Sequence, residues 1–360
     1  MSKNIKRKVI LALEKGGRIY EGVSCGVSGE KTGWVSFYTG VVGYQEVITN
    51  PANTGKIILM TYPLIGNYGV AKKFRESKHS FISGLIIKEN TRITSNWQAE
   101  KDFFDFLKDE KILAMQGVDT RAIMLELRQD AEQWGIISTK DFNPQSLRRK
   151  IKLAKKAKTN FINKISTKRV VKISGRGKTI GIIDIGVTNS LINQLHSLNC
   201  KNILIPYKTS TKNILALAAR GIIISDGPEI DKGSNIVVNS VKELLGKIPI
   251  LGIGAGCQIL AVALGAKIKK MHIGHHGVNY PVLKPNSLKG KITVQNHSYV
   301  IDEVSLDGKG TQVTWRNIND KSIEGIRNSI LKAFGYQFYP ASPGMGEVNS
   351  VLKEFITSLT

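Results

Sequence analysis

Cysteine is scarce in this 360-residue sequence, which contains only Cys25, Cys200 and Cys257. Their odd number and wide spacing match neither a disulfide framework nor a cysteine-based metal site. Proteins without disulfides are typical of reducing compartments. The cysteine usage therefore favours a cytoplasmic protein.

Long apolar runs are also missing. No uncharged apolar stretch approaches the roughly 20 residues that are needed to span a bilayer. The basic N-terminus leads into apolar residues 9–13, but Glu14 and Lys15 end this run too early for a signal peptide. We predict a first strand at this position and no membrane partner.

Acidic residues are few relative to basic ones, 28 against 52, and the formal net charge is +24. Such an excess can indicate a nucleic acid or an acidic partner. The lysines, however, are spread along the whole chain, and no zinc-finger, RNA-recognition or helix-turn-helix signature accompanies them. We interpret the charge as compositional drift and expect no nucleic-acid partner.

The length predicts two domains, because single cores stop growing at about 250–300 residues. Residues 1–150 contain short apolar runs separated by glycine turns, which predict a strand-rich α+β domain. The predicted strands are residues 9–13, 34–37, 56–62 and 81–88, and the predicted helices are residues 96–109 and 120–129.

Residues 151–178 are basic, weakly apolar and end in glycines, features that predict an interdomain linker. A solvated helix that closes the first domain fits the same composition. Residues 179–360 follow another pattern, in which the apolar runs TIGIID, NILIPY, GIIIS and IPILGIG alternate with helical segments. Such runs predict an α/β domain with a doubly wound, mostly parallel sheet.

The most informative segment is residues 248–268, where a buried strand runs into Gly252, Gly254 and Gly256 and then into an apolar helix. A G-x-nucleophile-x-G turn between strand and helix is a nucleophile elbow, whose central side chain stands over the edge of the sheet. The central residue here is Gly254. The pattern therefore predicts an elbow without a nucleophile.

The segment GIGAGCQ at 252–258 resembles the GICLGHQ motif of class I glutamine amidotransferases. Within that class, the chain resembles the small chain of carbamoyl-phosphate synthetase over nearly its whole length. The matching segments are DIGV (184–187), SDGPEID (225–231), GHHGVNYPV (274–282) and VQNHSY (294–299), and in the first domain GYQEVITNP (43–51), TYPLIGNYGV (61–70), SNWQAE (95–100) and QGVDTRAI (116–123).

The resemblance implies a function in carbamoyl phosphate synthesis for pyrimidines and arginine. In the family, a cysteine attacks the side-chain amide of glutamine, a histidine relays the proton and a glutamate orients the histidine. The released ammonia passes to a separate large subunit. The sequence lacks a G-x-x-x-x-G-K-[ST] loop, so we expect no cofactor in this chain and assign ATP and metal to that partner.

The same resemblance shows where this sequence departs from the family. Gly254 stands in the place of the nucleophile, Tyr339 replaces the base, and the glutamate is deleted after Pro340. Three positions of the glutamine pocket match the family and three depart from it. The matching ones are Gly227, Gln258 and Asn296, and the departures are Gly40, Glu229 and Ser298.

Two other kinds of site are suggested by single residue types in the sequence. Cys257 lies three residues beyond the elbow and is either a displaced nucleophile paired with a histidine or a structural thiol; we favour the structural role. His272, His275 and His276 are spaced like metal ligands, but we place them in a glycine-rich loop without a completing ligand and predict no metal site.

The leading prediction is a small subunit that cannot hydrolyse glutamine, binds it weakly or not at all, and supports a large subunit that uses ammonia. One alternative is an active small chain with a rebuilt site that delivers ammonia to the large chain. Another is a paralogue without a synthetase partner.

Overall fold

The structure is a computed structural model that describes residues 7–91, 93–157, 159–306, 310–344 and 346–359. The chain divides into two compact units, residues 1–158 and 159–360. Among the residues described, every helix is too short or too polar to cross a bilayer.

The first unit is built around a closed barrel, in the strand order β1-β2-β8-β6-β4-β3-β9. Closure leaves no free sheet edge, because β1 pairs with both β2 and β9. The strands are β1 (Lys8–Leu13), β2 (Ile19–Ser24), β3 (Glu30–Tyr38), β4 (Lys56–Met60), β5 (Leu64–Ile65), β6 (Gly84–Ile86), β7 (Glu89–Asn90), β8 (Ala114–Gln116) and β9 (Gln133–Ser138). The helices are α1 (Tyr44–Thr49), α2 (Phe103–Asp109), α3 (Thr120–Asp130) and α4 (Pro144–Lys156).

All four predicted strands of this unit are present, as β1, β3, β4 and β6, although β6 is shorter than predicted. The helix predicted at residues 120–129 is α3, and the Asp119 side chain accepts a hydrogen bond from the Ala122 backbone at its start. The helix predicted at 96–109 begins only at Phe103. Asp102 caps it there, accepting from the backbone of Asp105 at 2.9 Å. Trp97, which lies within the predicted helix but before the observed one, is 89% exposed.

Residues 151–178, predicted as a linker, contain regular elements of both units. Their first residues complete α4, whose Leu147 and Ile151 pack against the barrel residues Ile10 and Ile136. The later residues include a short helix, α5 (Phe161–Ile165), and a strand, β10 (Val171–Ile173), which pairs with a strand of the second unit.

The second unit is built on one ten-stranded sheet in the order β10-β12-β11-β13-β14-β19-β18-β17-β15-β16. Its further strands are β11 (Thr179–Asp184), β12 (Lys201–Pro206), β13 (Gly221–Ile224), β14 (Ile250–Ile253), β15 (Lys267–Leu283), β16 (Gly290–Asp302), β17 (Gln312–Asn317), β18 (Ile323–Asn328) and β19 (Ala333–Tyr336). Its further helices are α6 (Asn189–Ser197), α7 (Thr211–Ala216), α8 (Ser234–Leu244), α9 (Ala255–Ala263) and α10 (Ser350–Ser358).

The four apolar runs of the sequence form β11, β12, β13 and β14, which pair in parallel, and β19 continues the parallel part. Helices cover both faces. Val237 of α8 and Ile259 of α9 belong to one core, whereas Leu195 of α6 and Phe355 of α10 belong to the other. The doubly wound α/β fold is confirmed, and antiparallel strands β15–β18 extend it on one side.

Candidate functional site

The elbow lies where β14 ends and α9 begins. Gly254 has φ 54° and ψ −119°, a backbone conformation that L-residues with a side chain rarely adopt. The flanking glycines are needed because the turn is tight. A Cβ on Gly252 would lie 2.5 Å from the carbonyl oxygen of Gly256, and one on Gly256 would lie 2.6 Å from that of Ser225. The predicted strand–turn–helix geometry is present.

The space at the apex of the elbow is taken by Asp226, which follows β13. A Cβ on Gly254 would lie 2.5 Å from Cγ of Asp226. Oδ1 of this buried carboxylate accepts hydrogen bonds from the backbone N–H groups of Gly227 (2.8 Å) and Ala255 (3.0 Å). In a nucleophile elbow, the N–H after the nucleophile helps to bind the oxyanion. Asp226 therefore occupies an oxyanion-binding position.

Sequence reasoning missed Asp226. The signal was present in SDGPEID, which has an aspartate where the family motif SNGPGDP has an asparagine. The substitution becomes informative only beside Gly254, because the aspartate carboxylate fills the volume that the missing side chain leaves. Gly227 itself is tightly packed, and a Cβ on it would lie 2.9 Å from the carbonyl carbon of Ile185.

Tyr339, at the position of the base, is bound to the start of α6. Its hydroxyl lies 2.6 Å from both the Thr188 and the Ser190 hydroxyl oxygens. The carbonyl of Pro340 accepts a hydrogen bond from the side chain of Gln194 at 2.9 Å. These contacts anchor the segment on α6 with neutral groups.

Two other predicted pocket residues, Gln258 and Ser298, donate hydrogen bonds to the side chain of Glu229. Its Oε1 accepts from the side-chain amide of Gln258 (2.6 Å) and from the backbone N–H of Tyr299 (3.1 Å). Its Oε2 accepts from the backbone N–H of Ser298 (2.8 Å). Glu229 thus accepts hydrogen bonds from both α9 and β16.

Asn296 and Ser298 are joined by their side chains to His276. Asn296 Oδ1 lies 2.9 Å from His276 Nδ1, and Ser298 Oγ lies 3.2 Å from His276 Nε2. The histidines were expected in a loop, but they lie on the 17-residue strand β15. The expectation of a loop was wrong because the glycines of this segment form bulges within the strand and do not end the strand. One such bulge shifts the register between Gly277 and Tyr280.

Gly40, the remaining departure, lies in the first unit. A Cβ on it would lie 2.6 Å from Cε1 of Tyr38. The Tyr38 hydroxyl donates to the carbonyl of Val42 at 3.0 Å, which holds the ring in this place. A serine at position 40 would require Tyr38 to move.

Cys257 is fully buried in an apolar cluster with Ala261, Ile301 and Ile326. Burial, together with the negative charge of Glu324, raises the pKa of its thiol far above the ordinary range. A displaced nucleophile would need an accessible thiolate. Cys257 therefore packs as a core residue.

The side chains that come closest to a metal-binding arrangement differ from the three histidines whose spacing resembles that of metal ligands, with only His275 in common. His275, His297 and Glu324, all buried, place one possible ligand atom each within 4.8 Å of one another, while His272 is exposed. Hydrogen bonds also link His275 to Asp320, at 3.0 Å. Burial alone would lower the pKa of His275, but the hydrogen bonds and charges of Asp320 and Glu324 outweigh it and raise the pKa to about 9. The group therefore forms an ion-pair network.

Known proteins resemble the chain over both units. Residues 11–137 match the family model described as carbamoyl-phosphate synthase small chain, CPSase domain, and residues 181–359 match glutamine amidotransferase class-I. The carbamoyl phosphate synthase pyrimidine-specific small chain of Halalkalibacterium halodurans (strain ATCC BAA-125 / DSM 18197 / FERM 7344 / JCM 9153 / C-125) is 35% identical over 353 residues, covering 98% of this chain and 96% of that one.

Two further relatives show the same extent of similarity. The carbamoyl phosphate synthase small chain of Bacillus caldolyticus is 35% identical, over 98% of this chain and 96% of its own. The pyrimidine-specific small chain of Bacillus subtilis (strain 168) is 35% identical, over 98% and 95%. The chain therefore belongs to the carbamoyl phosphate synthase small-chain family, and its second unit is a class I glutamine amidotransferase domain.

Proposed function

We propose that this chain is a carbamoyl phosphate synthase small subunit that does not hydrolyse glutamine and supports a large subunit that uses free ammonia. The proposal rests on the geometry at the apex of the elbow, where β14 meets α9. Gly254 offers no nucleophile, and the carboxylate of Asp226 lies where a nucleophilic side chain would begin.

The chemistry of amide hydrolysis explains why these changes matter together. Hydrolysis through a covalent intermediate, as in this family, needs a nucleophilic side chain and a base that takes its proton. Tyrosine, with an ordinary pKa near 10, is a poor proton acceptor at neutral pH, and Tyr339 lies between hydroxyl groups on α6. Removing a whole catalytic unit costs about six orders of magnitude in hydrolytic enzymes.

The partner follows from the family, because a small chain implies a large chain. We propose that the large chain holds ATP and metal and performs the synthesis, and that the product serves pyrimidine and arginine biosynthesis. Two of the relatives are named pyrimidine-specific, which supports the first of these routes. The proposal includes a cytoplasmic location and no nucleic-acid or membrane partner.

The test is co-expression with the cognate large chain, followed by carbamoyl phosphate synthesis from ammonia and from glutamine in parallel. Contaminating ammonia in the glutamine is first removed enzymatically. We expect synthesis from ammonia and background rates from glutamine. Glutamine-dependent synthesis that disappears in Cys257→Ser would contradict the proposal and favour a rebuilt site.

A further inference from the structure

The loop after β13, residues 225–231, places two carboxylates on backbone and amide donors of the pocket. We propose that Asp226 and Glu229 act as a built-in ligand, which fills the pocket in the way a bound substrate carboxylate and an oxyanion would. The inference rests on the proposed function, because only a subunit that does not hydrolyse glutamine can have its pocket filled by its own side chains.

Asp226 holds the first anion position. Asp226 is only 6% exposed, and its Oδ1 accepts hydrogen bonds from the N–H of Gly227, in its own loop, and from the N–H of Ala255, in the elbow. Ala255 is the first residue of α9, where free N–H groups and the helix dipole favour a negative charge. A carboxylate is therefore well matched to this position.

Glu229 holds the second position, with donors from two different elements. The side chain of Gln258 on α9 and the successive N–H groups of Ser298 and Tyr299 on β16 all point to its carboxylate. Hydrogen bonds to a charged acceptor are about twice as strong as those between neutral groups. Gln258 is only 4% exposed, and its side-chain amide also donates to the carbonyl of Tyr299 at 3.2 Å, so without Glu229 it would lose one of two buried acceptors.

The backbone next to Glu229 is strained, which indicates that these bonds hold the loop in place. Ile230 has φ 49°, an unusual value for a β-branched residue, although its side chain is 60% exposed. On the other side, Asp231 fixes the loop by accepting from the N–H groups of Phe161 (2.6 Å) and Gly233 (2.8 Å). The strained residue lies between two anchored carboxylates.

Removal of the Glu229 side chain should leave a cavity with the shape of that side chain. Glu229→Ala should therefore expose the three donors to a small carboxylate from solution. Acetate carries the group that the substitution deletes, and we expect it to rebind there. In the unchanged protein, acetate finds these donors occupied.

The experiment is thermal unfolding of the full chain with acetate or with chloride at equal ionic strength. We expect Glu229→Ala to unfold about 5 °C below the unchanged protein, because buried donors lose their acceptor in a domain of this size. Acetate should restore at least half of this loss and leave the unchanged protein unaffected. The matched control is Glu243→Ala, at an exposed glutamate on α8, which should lose little and gain nothing from acetate.

A second variant covers the case in which Glu229→Ala does not fold. Glu229→Gln keeps the shape and one acceptor oxygen, and we expect faster hydrogen exchange at the amides of Ser298 and Tyr299, with no change at α6. Unaltered exchange in Glu229→Gln, or a destabilised Glu229→Ala that acetate does not restore, would overturn the inference. Neither readout involves hydrolysis or the large chain, so glutaminase activity in the unchanged protein would refute the proposed function separately.

Discussion

The departure of this chain from the family's elbow motif is most visible in one pair of residues. Gly254 and Asp226 fit each other, since the aspartate carboxylate fills the volume that a side chain at the elbow would need. The pair also replaces a nucleophile at the elbow with a carboxylate. In an elbow with a nucleophile, the N–H at the position of Ala255 helps to bind the oxyanion, whereas here it is hydrogen-bonded to a carboxylate. We therefore expect that restoring a single residue does not restore the site.

We predict that Gly254→Cys will not recover glutamine hydrolysis and will lower the free energy of unfolding by about 2–4 kcal/mol. The new Cβ would meet the carboxylate of Asp226 in a backbone conformation that disfavours side chains. Tyr339 supplies no base for the thiol. Glutamate release and urea unfolding measure the two effects.

The matched control for this variant is the double substitution Gly254→Cys and Asp226→Ala. Removing the carboxylate relieves the contact, so the second substitution should restore part of the stability that the first one loses. Additive losses would show that the two residues do not interact. Strong glutamine turnover by Gly254→Cys alone would show that the remaining site is intact.

The three cysteines lead to a second prediction at this scale. Cys25, Cys200 and Cys257 are buried, and burial raises the pKa of each thiol, that of Cys25 to about 12. We expect an aromatic disulfide reagent to modify none of them within minutes in the folded chain and all three after unfolding. Leu288→Cys, at a fully exposed position, should add one fast-reacting thiol. Rapid modification that is lost in Cys257→Ser would return Cys257 to consideration as a nucleophile.

Among the structural elements, the long antiparallel pair β15 and β16 contributes most to the site. Its register places His275 opposite His297, with bulges on both sides. Glu324, on β18, lies 3.4 Å from a ring nitrogen of each histidine. The strands thus bring together a buried charge network from distant parts of the unit.

This network predicts that stability falls at alkaline pH. The pKa of His275 is about 9 in the folded chain and near 6.5 in an unfolded one. The folded state therefore binds the proton more tightly. The resulting stabilisation, on the order of 3 kcal/mol, is complete below about pH 6.5 and disappears as the pH rises through 9.

Urea unfolding at several pH values tests this prediction against His275→Gln. The difference in unfolding free energy between the two proteins should shrink steadily between pH 6.5 and 9.5. Against the effect of burial, hydrogen bonds from His275 and Ser322 lower the pKa of Asp320, and His297 and His275 lower that of Glu324. Those carboxylates add stability above their unfolded pKa values that is lost in acid. A difference independent of pH would mean that His275 is neutral in the folded chain.

For the whole molecule, we predict a complex with the cognate large chain that survives gel filtration at micromolar concentration. Stable subunit interfaces are large and apolar, so the complex should persist in about 0.5 M salt, where charges are screened beyond a few ångström. Separate elution at low salt would contradict the prediction. Separation only at high salt would indicate that the net charge of +24 contributes to binding.

The sequence by itself determined the family, the α/β fold of the second unit and the empty elbow. These features depend on local patterns: apolar runs form the parallel strands, and glycines at 252, 254 and 256 specify the tight turn. The helix start at Phe103 was misjudged because the Asp102 cap outweighs the apolar spacing before it.

Only the tertiary structure decided what fills the pocket. Asp226 meets Ala255 across 29 residues, and Glu229 meets Tyr299 across 70. The network of His275, His297 and Glu324 likewise joins three strands of one sheet. Such contacts follow from strand order and register, which no local pattern encodes. In the sequence, a carboxylate within a matching motif cannot be distinguished from any other polar residue. Only the folded structure shows which donors it contacts.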